Sequence, residues 1–451
     1  MTNETFSGLQ EISAAAAYAR PSSASRQLHE RALAVMPAGN TRHAVALAPY
    51  PVYAARGHGC RVVDADGDER IDFLNNYTSL ILGHANRRVL DAVHARLEDG
   101  TAFAMPTREG IDLAELLVER VAYIDEVRFC NSGTEAVMFC IKAARAFTGR
   151  ARIAKIEGCY HGTYDYAQVS DGPSADRRGE PHSPAADVPC GASPAIASEV
   201  VVLPLNDTLA AERLIEANRR ELAAVIIDPM PAACGLVEPT PEFLARLRAA
   251  TRRWGILFIS DEVMSFRLGY HGGLHEAGID PDLTSLAKII GGGFPVGAVC
   301  GKAEVMRVFD HTRAAHVHHS GTFNANPVTL AAGLETMRQM TPAAYEDLDR
   351  LGDYLRASVR RMLERRAIPG QVLGRGSLFA VHLTDEPLVD YRSVARFSTP
   401  RIDGAALCHE MLKRGILISP RGTFGCLSTT MTEPELDAYV TALEQSLAAL
   451  R

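Results

Sequence analysis

Two residues of this 451-residue chain have the types and spacing to act together, Asp261 and Lys288. The run at 256–263, Ile-Leu-Phe-Ile-Ser-Asp-Glu-Val, has the pattern of a buried strand carrying Asp261 at its end. A second apolar run, 283–287, delivers Lys288, and three glycines at 291–293 then break the chain. A carboxylate at one strand end and an amine 27 residues later (288 − 261) suit pyridoxal phosphate chemistry. The amine condenses with the cofactor's aldehyde, and the carboxylate keeps the pyridine nitrogen protonated so that the ring accepts electrons.

Such a cofactor also needs a seat for its phosphate. Asn131-Ser132-Gly133-Thr134-Glu135-Ala136 follows an apolar run and opens an amphipathic pattern. A helix N-terminus there offers unpaired N–H groups and a favourable dipole, and the Ser132 and Thr134 hydroxyls add donors, so Ser132, Gly133 and Thr134 form a phosphate cup. Alone, the motif is an ordinary helix cap, since Ser or Thr followed by Glu is common at helix starts. Its meaning comes from Lys288 and Asp261. Tyr160, in Tyr160-His161-Gly162, is an aromatic able to stack on a flat ring. Val263, two residues beyond Asp261, shares its strand face and can press the ring's other side. Ser320-Gly321-Thr322 is a second hydroxyl-bearing turn and a further phosphate contact through Thr322.

The elements that must position these groups alternate. Short apolar, β-branched runs at 127–130, 153–156, 200–203, 225–227, 257–259 and 296–300 are interleaved with helical patterns such as 134–147 and 240–254. That predicts an α/β layer with a mostly parallel sheet. After Pro327 long helical patterns at 328–340 and 344–366, a strand-rich stretch at 372–383 and a helix at 433–450 predict a smaller α+β C-terminal domain. The expected division is an N-terminal segment over 1–60 packing with the small domain, a large cofactor domain over 61–326 and a small domain over 327–451. Residues 171–198, rich in Pro, Ser, Ala and Gly, form a long surface loop.

Composition narrows the class. Hydrophobic residues make 47% of the chain and charged ones 22%, with a net charge of −7, so neither disorder nor a nucleic-acid footprint is expected. Nine cysteines without a C-x-x-C pair suit a reducing compartment. With no signal pattern and no apolar run near the ~20 residues of a membrane span, a cytoplasmic protein without a membrane partner is expected. His311, His316, His318 and His319 lack a helical i, i+4 pairing with an acid and lead into the Thr322 turn, so no metal site is expected.

Five motifs occur in order: Asn-Ser-Gly-Thr-Glu-Ala (131–136), Gly-x-Tyr-His-Gly (158–162), Asp-Glu-Val-Met (261–264), Ala-Lys-Ile-Ile-Gly-Gly-Gly (287–293) and His-Ser-Gly-Thr-Phe (319–323). Together they resemble the class III pyridoxal-phosphate aminotransferases, nearest the branch holding glutamate-1-semialdehyde aminomutase and β-phenylalanine aminotransferase. The resemblance runs from about Ser25 to the end. It implies the PLP-dependent transferase fold type I, pyridoxal 5′-phosphate as cofactor and a homodimer with the site at the subunit interface. It also implies that Lys288 holds the aldehyde, Asp261 the ring nitrogen, Tyr160 the ring face, and that Thr322 reaches the neighbouring subunit's phosphate. The small-molecule partners would be an amino donor and a 2-oxo acid acceptor.

Substrate choice turns on two arginines. Arg42, in Gly39-Asn40-Thr41-Arg42, and Arg421, in Ser419-Pro420-Arg421-Gly422, each offer a guanidinium fork that binds a carboxylate through two hydrogen bonds. Most arginines of this chain serve only solubility, but both local patterns resemble the β-phenylalanine aminotransferase more than the aminomutase. That resemblance implies a β-amino acid or similar carboxylate-bearing amine as donor, 2-oxoglutarate as acceptor, and Tyr77 and Tyr50 along the pocket. The alternative on the same scaffold is an isomerase, either an aminomutase or an amino acid racemase. Asp228-Pro229 stands where the family carries Glu-Pro, and 231–235 lacks the Asn or Gln often found there. The partner of the cofactor's 3′-oxygen is therefore open.

Overall fold

Runs of Val, Ile, Leu and Ala too apolar to leave one face in water form strands buried almost along their whole length, as parallel sheets covered on both faces require. The computed structural model describes residues 20, 22–398, 403–420 and 424–450. Its main sheet has seven strands, in the order Glu126–Cys130, Gly297–Gly301, Leu283–Ala287, Leu257–Asp261, Leu222–Ile227, Arg152–Ile156, Val200–Leu203. Neighbours pair in parallel except at Gly297–Gly301, which runs against both Leu283–Ala287 and Glu126–Cys130. The sheet is thus mostly parallel, as predicted.

Helix Gly133–Thr148 buries Val137, Phe139, Cys140 and Ile141 in one core cluster with Ile153, Ile226, Ile259 and Val299 of the strands. Its ends are set by sequence: Ser132 caps the first turn and Gly149, at φ 68°, stops it. Helix Pro241–Trp254 uses the same devices, with Thr240 as cap and Gly255 as stop, so the chain re-enters the sheet at Leu257.

The chain separates into two compact units. One comprises Arg87–Tyr345 with Leu388–Arg392, and the other the described parts of Met1–Asn86, Glu346–Pro387 and Ser393–Arg451. The cuts fall after Asn86 and Tyr345, whereas the sequence placed them after 60 and 326. Residues 61–86 stay with the smaller unit because Arg61–Asp64 and Glu69–Asp72 join Ala54–His58 and Ile416–Leu417 in a four-stranded sheet. Helix Pro327–Gln339 stays with the larger unit because it packs on Arg87–Glu98, Arg108–Arg120 and the turn after Lys288. A Cβ on Gly333 would stand 2.0 Å from the Ile290 carbonyl, so this helix and that turn touch backbone to backbone. Among the described residues no helix is long and apolar enough to cross a membrane.

Candidate active site

Adjacent parallel strands bring the acid and the lysine to the same end of the sheet. In the register between Leu257–Asp261 and Leu283–Ala287, Asp261 stands opposite Ser285, so Lys288 emerges just past the carboxyl end, where open α/β sheets place their ligands. Asp261 is 5% exposed. His161 Nδ1 donates to its Oδ2 at 2.7 Å, and Ser285 Oγ and the Val263 N–H donate to its Oδ1 at 2.9 and 3.2 Å. Three donors around one carboxylate fix its plane. Lys288 opens a 3₁₀ turn over Lys288–Gly291 and is held at φ 51°, a left-handed conformation that a lysine adopts only when its surroundings impose it.

The neighbouring strand Leu222–Ile227 brings in Asp228. Burial, then the adjacent Asp261 carboxylate, push its carboxyl up to about 8, against the downward pull of the Met230 N–H and of Lys288. Asp228 thus lies against the donor-ringed Asp261 carboxylate with its own carboxyl held well above the usual carboxylate range. Glu262 points to the opposite strand face. Fully buried, it accepts from Tyr123 Oη at 2.8 Å, Ser260 Oγ at 3.1 Å and the Gly273 N–H at 2.6 Å.

The phosphate turn is built on Ser132, whose Oγ accepts from the Glu135 N–H at 3.2 Å while Glu135 Oε2 accepts from the Asn131 N–H at 2.5 Å. These bonds close the turn and leave the first helical N–H groups without partners inside the helix. Position 133 must be glycine: a Cβ there would meet Val263 Cγ1 at 2.9 Å. Val263 thus packs directly against the cup. Thr134 Oγ1 accepts from the Thr163 N–H at 3.2 Å, tying the cup to the turn that carries Tyr160 and His161. Tyr160 is 53% exposed, leaving its ring open for stacking.

Thr322 lies on an exposed turn whose Asn324 Oδ1 accepts from Asn131 Nδ2 at 2.8 Å. It lines an open cavity of about 1150 Å³ with Phe103, Met105, Ile111, Arg128 and Phe323. Neither Lys288 nor Asp261 lines that cavity, so this hollow is not where the chemistry converges.

The substrate candidates lie in the other unit. Arg42 is exposed; its Nη1 donates to Asn76 Oδ1 at 2.9 Å and its guanidinium sits 5.9 Å from the Tyr77 ring centroid. The Tyr77 hydroxyl donates to the Ala44 carbonyl. Asn75, Asn76, Tyr77 and Thr78 are all left-handed, at φ 47–76°, a run of strained non-glycine backbone of the kind that accumulates at functional sites. Tyr50 is not part of this group. It is buried, and its hydroxyl accepts from the Arg20 N–H at 3.0 Å. Arg421 lies outside the described residues.

His161 and Ser285 were not singled out from the sequence, although the Gly-x-Tyr-His-Gly motif contained the first. His161 Nε2 is buried without a hydrogen-bond partner among the described residues, an orphan of the sort a ligand site leaves. The donor set fits a flat phosphorylated pyridine aldehyde: a lysine, a pinned carboxylate, an open helix N-terminus, and an aromatic and a valine for the two faces. Among the described residues no group of three or more His, Cys, Asp or Glu could hold a metal ion.

Comparison with known proteins gives the same picture. Residues 43–447 match the family model described as aminotransferase class-III. The structure is similar to that of an omega-transaminase from Sphaerobacter thermophilus, with 54% identity and a TM-score of 0.93 over 96% of this chain and 99% of that one. It is also similar to a β-phenylalanine aminotransferase from Variovorax paradoxus, at 34% identity and a TM-score of 0.87 over 98% and 97% of the two chains. A relative from Geobacillus kaustophilus named glutamate-1-semialdehyde 2,1-aminomutase 2 is 38% identical over 432 residues, 95% of this chain and 98% of its own length.

Proposed function

The chain belongs to the class-III aminotransferases, pyridoxal-phosphate enzymes of fold type I, and from that premise we propose that it moves an amino group from a β-amino acid, or a similar carboxylate-bearing amine, to a 2-oxo acid such as 2-oxoglutarate. The observation that carries the substrate reading is Arg42, steadied by Asn76 and Tyr77 on a strained turn and otherwise open to accept a carboxylate. Similarity to the β-phenylalanine enzyme points the same way.

When bound, pyridoxal phosphate supplies an aldehyde and a ring that takes up electron density. The chain's own groups do the rest. The helix N-terminus at Ser132, Gly133 and Thr134 holds the phosphate. Asp261, oriented by His161 and Ser285, holds the proton on the ring nitrogen. Tyr160 and Val263 keep the ring between them. Lys288, at the carboxyl end of its strand, would hold the cofactor's aldehyde, and its Nζ would move the proton at the substrate's amine-bearing carbon. The buried Asp228, its carboxyl pushed up to about 8, stands beside Asp261.

In this reading the enzyme is a homodimer and Thr322 reaches the partner's phosphate. The support is apolar exposure around the Thr322 cavity: Met105 is 71% exposed, Phe323 61% and Ile111 59%. Sedimentation at micromolar concentration should return twice the chain mass, and Met105→Glu should shift it toward a single chain. A wild-type protein that sediments as one chain would remove this part of the reading.

The deciding assay offers an aromatic β-amino acid with 2-oxoglutarate and measures glutamate formed. Arg42→Ala should raise the donor's KM about 10–100-fold with kcat much less affected, the cost of losing charged hydrogen bonds to a carboxylate. The second reading, an aminomutase, is favoured by the relative at 38% identity over nearly the whole chain. It predicts that glutamate 1-semialdehyde rearranges with no oxo acid present, and that outcome with silent β-amino acids overturns the transferase reading.

A further inference from the structure

Residues 388–392 come from late in the chain yet pack with the cofactor-binding unit. Arg392 grips Glu157 with both arms, Nε to Oε2 at 2.7 Å and Nη2 to Oε1 at 2.8 Å, across 235 positions of sequence. Nη1 donates to the Gly179 carbonyl at 3.0 Å, and the second N–H of Nη2 is shared between the carbonyls of Arg178 and Glu180 at 2.8 and 3.2 Å. Tyr391 adds shape. Its hydroxyl donates to the Pro173 carbonyl at 3.0 Å, and its ring lies so close to Gly158 that a Cβ there would be 2.2 Å from Cδ2.

Glu157 and Gly158 begin the turn that carries Tyr160 and His161. On its inner side Lys155 Nζ, fully buried, donates to the carbonyls of Cys159 at 2.8 Å and Val169 at 2.6 Å. At its far end His161 binds Asp261 and the Thr163 N–H binds Thr134. A shift of residues 157–159 therefore moves the ring cover, the partner of the buried acid and the phosphate cup together.

A buried ion pair is weak evidence for stability, because desolvation offsets most of its attraction. What five fixed hydrogen bonds from one guanidinium do supply is orientation. We propose that the 388–392 segment is a clasp on the cofactor turn, and that Arg392 is a positioning residue that sets Tyr160 and His161 for the cofactor. The inference rests on the pyridoxal-phosphate reading above and extends it to residues that touch neither cofactor nor substrate.

The test uses full-length protein and pyridoxal phosphate itself. Equilibrium dialysis gives the cofactor's Kd, and visible circular dichroism reports the asymmetry of its surroundings. Arg392→Met should raise Kd about 10–100-fold, as loss of outer-shell partners does, and weaken the dichroic band. Arg392→Lys, which keeps the charge but loses the fork, should fall between it and wild type. Arg246→Met breaks a similar fork to Glu212, at 2.8 and 2.6 Å on an exposed helix, and should change neither readout. Should Arg392→Met fail to fold, Arg392→Lys and Glu157→Gln carry the test. Variants that lower the melting temperature but bind cofactor with unchanged Kd and dichroism overturn the clasp. A wild-type protein that binds no pyridoxal phosphate overturns the functional reading instead.

Discussion

Replacing Lys288 with alanine should leave a folded protein that still takes up pyridoxal phosphate but transaminates at least about 10⁴-fold more slowly, because under the proposed function one amine would serve both as the aldehyde's resident partner and as the proton carrier. Only five lysines are present, and the structure separates them. Lys302 pairs with Asp280 at 2.9 Å and Lys413 with Glu410 at 2.6 Å, while Lys142 lies 5.4 Å from the Phe139 ring centroid. Lys155 is the instructive rival. Burial pulls its amine down to about 8, the kind of shift that marks reactive lysines. Yet it is fully buried, and two of its three donors go to the carbonyls of Cys159 and Val169. Geometry selects Lys288, at a parallel-strand end beside a pinned carboxylate. Borohydride reduction of the loaded wild type followed by peptide mapping checks the assignment. A pyridoxyl adduct at position 155, or wild-type turnover by Lys288→Ala, sinks it.

The parts of this site visible in the sequence are those whose signal is local. Asp261 and Lys288 each end an apolar run, the phosphate turn is a six-residue motif, and strand Leu283–Ala287 lies where the apolar pattern put it. Helix limits also came within a residue or two, for instance Gly133–Thr148 against 134–147 and Pro342–Arg365 against 344–366, because their caps are written in Ser, Thr, Gly and Pro. What stayed hidden depends on the folded chain. No pattern near 161 or 285 says that both side chains turn toward Asp261, since that follows from strand order and register. The reversal of Gly297–Gly301 is equally silent, because a buried strand is apolar in either direction. The division into units depends on the folded chain in the same way. Helix Pro327–Gln339 belongs with the larger unit because it packs on Arg87–Glu98, Arg108–Arg120 and the turn after Lys288, contacts that no local pattern shows.

Asp261→Asn should be the next most damaging change, with about 10³-fold lower turnover and little loss of cofactor, since the amide keeps the shape but removes the charge that retains the ring-nitrogen proton. Its neighbours make the prediction sharper. His161 Nδ1 and Ser285 Oγ both donate to this carboxylate, so an asparagine must turn its oxygen to one and leave its amide against the other. His161→Gln should cost less, because Ser285 and the Val263 N–H still orient Asp261. A second consequence appears without any turnover. The Asp261 charge is one of the causes that push Asp228 up to about 8, so removing it lets Asp228 fall toward its ordinary 3.8. Between those values the folded chain holds a proton that the unfolded chain has released, and stability drops as pH rises through that window. In Asp261→Asn the window narrows, so melting temperature should vary less between pH 4 and about 8 than in wild type. Turnover near wild type would remove Asp261 from the ring nitrogen. An unaltered pH dependence of melting with turnover lost would leave that role intact and show that the two carboxyl groups do not share their charge.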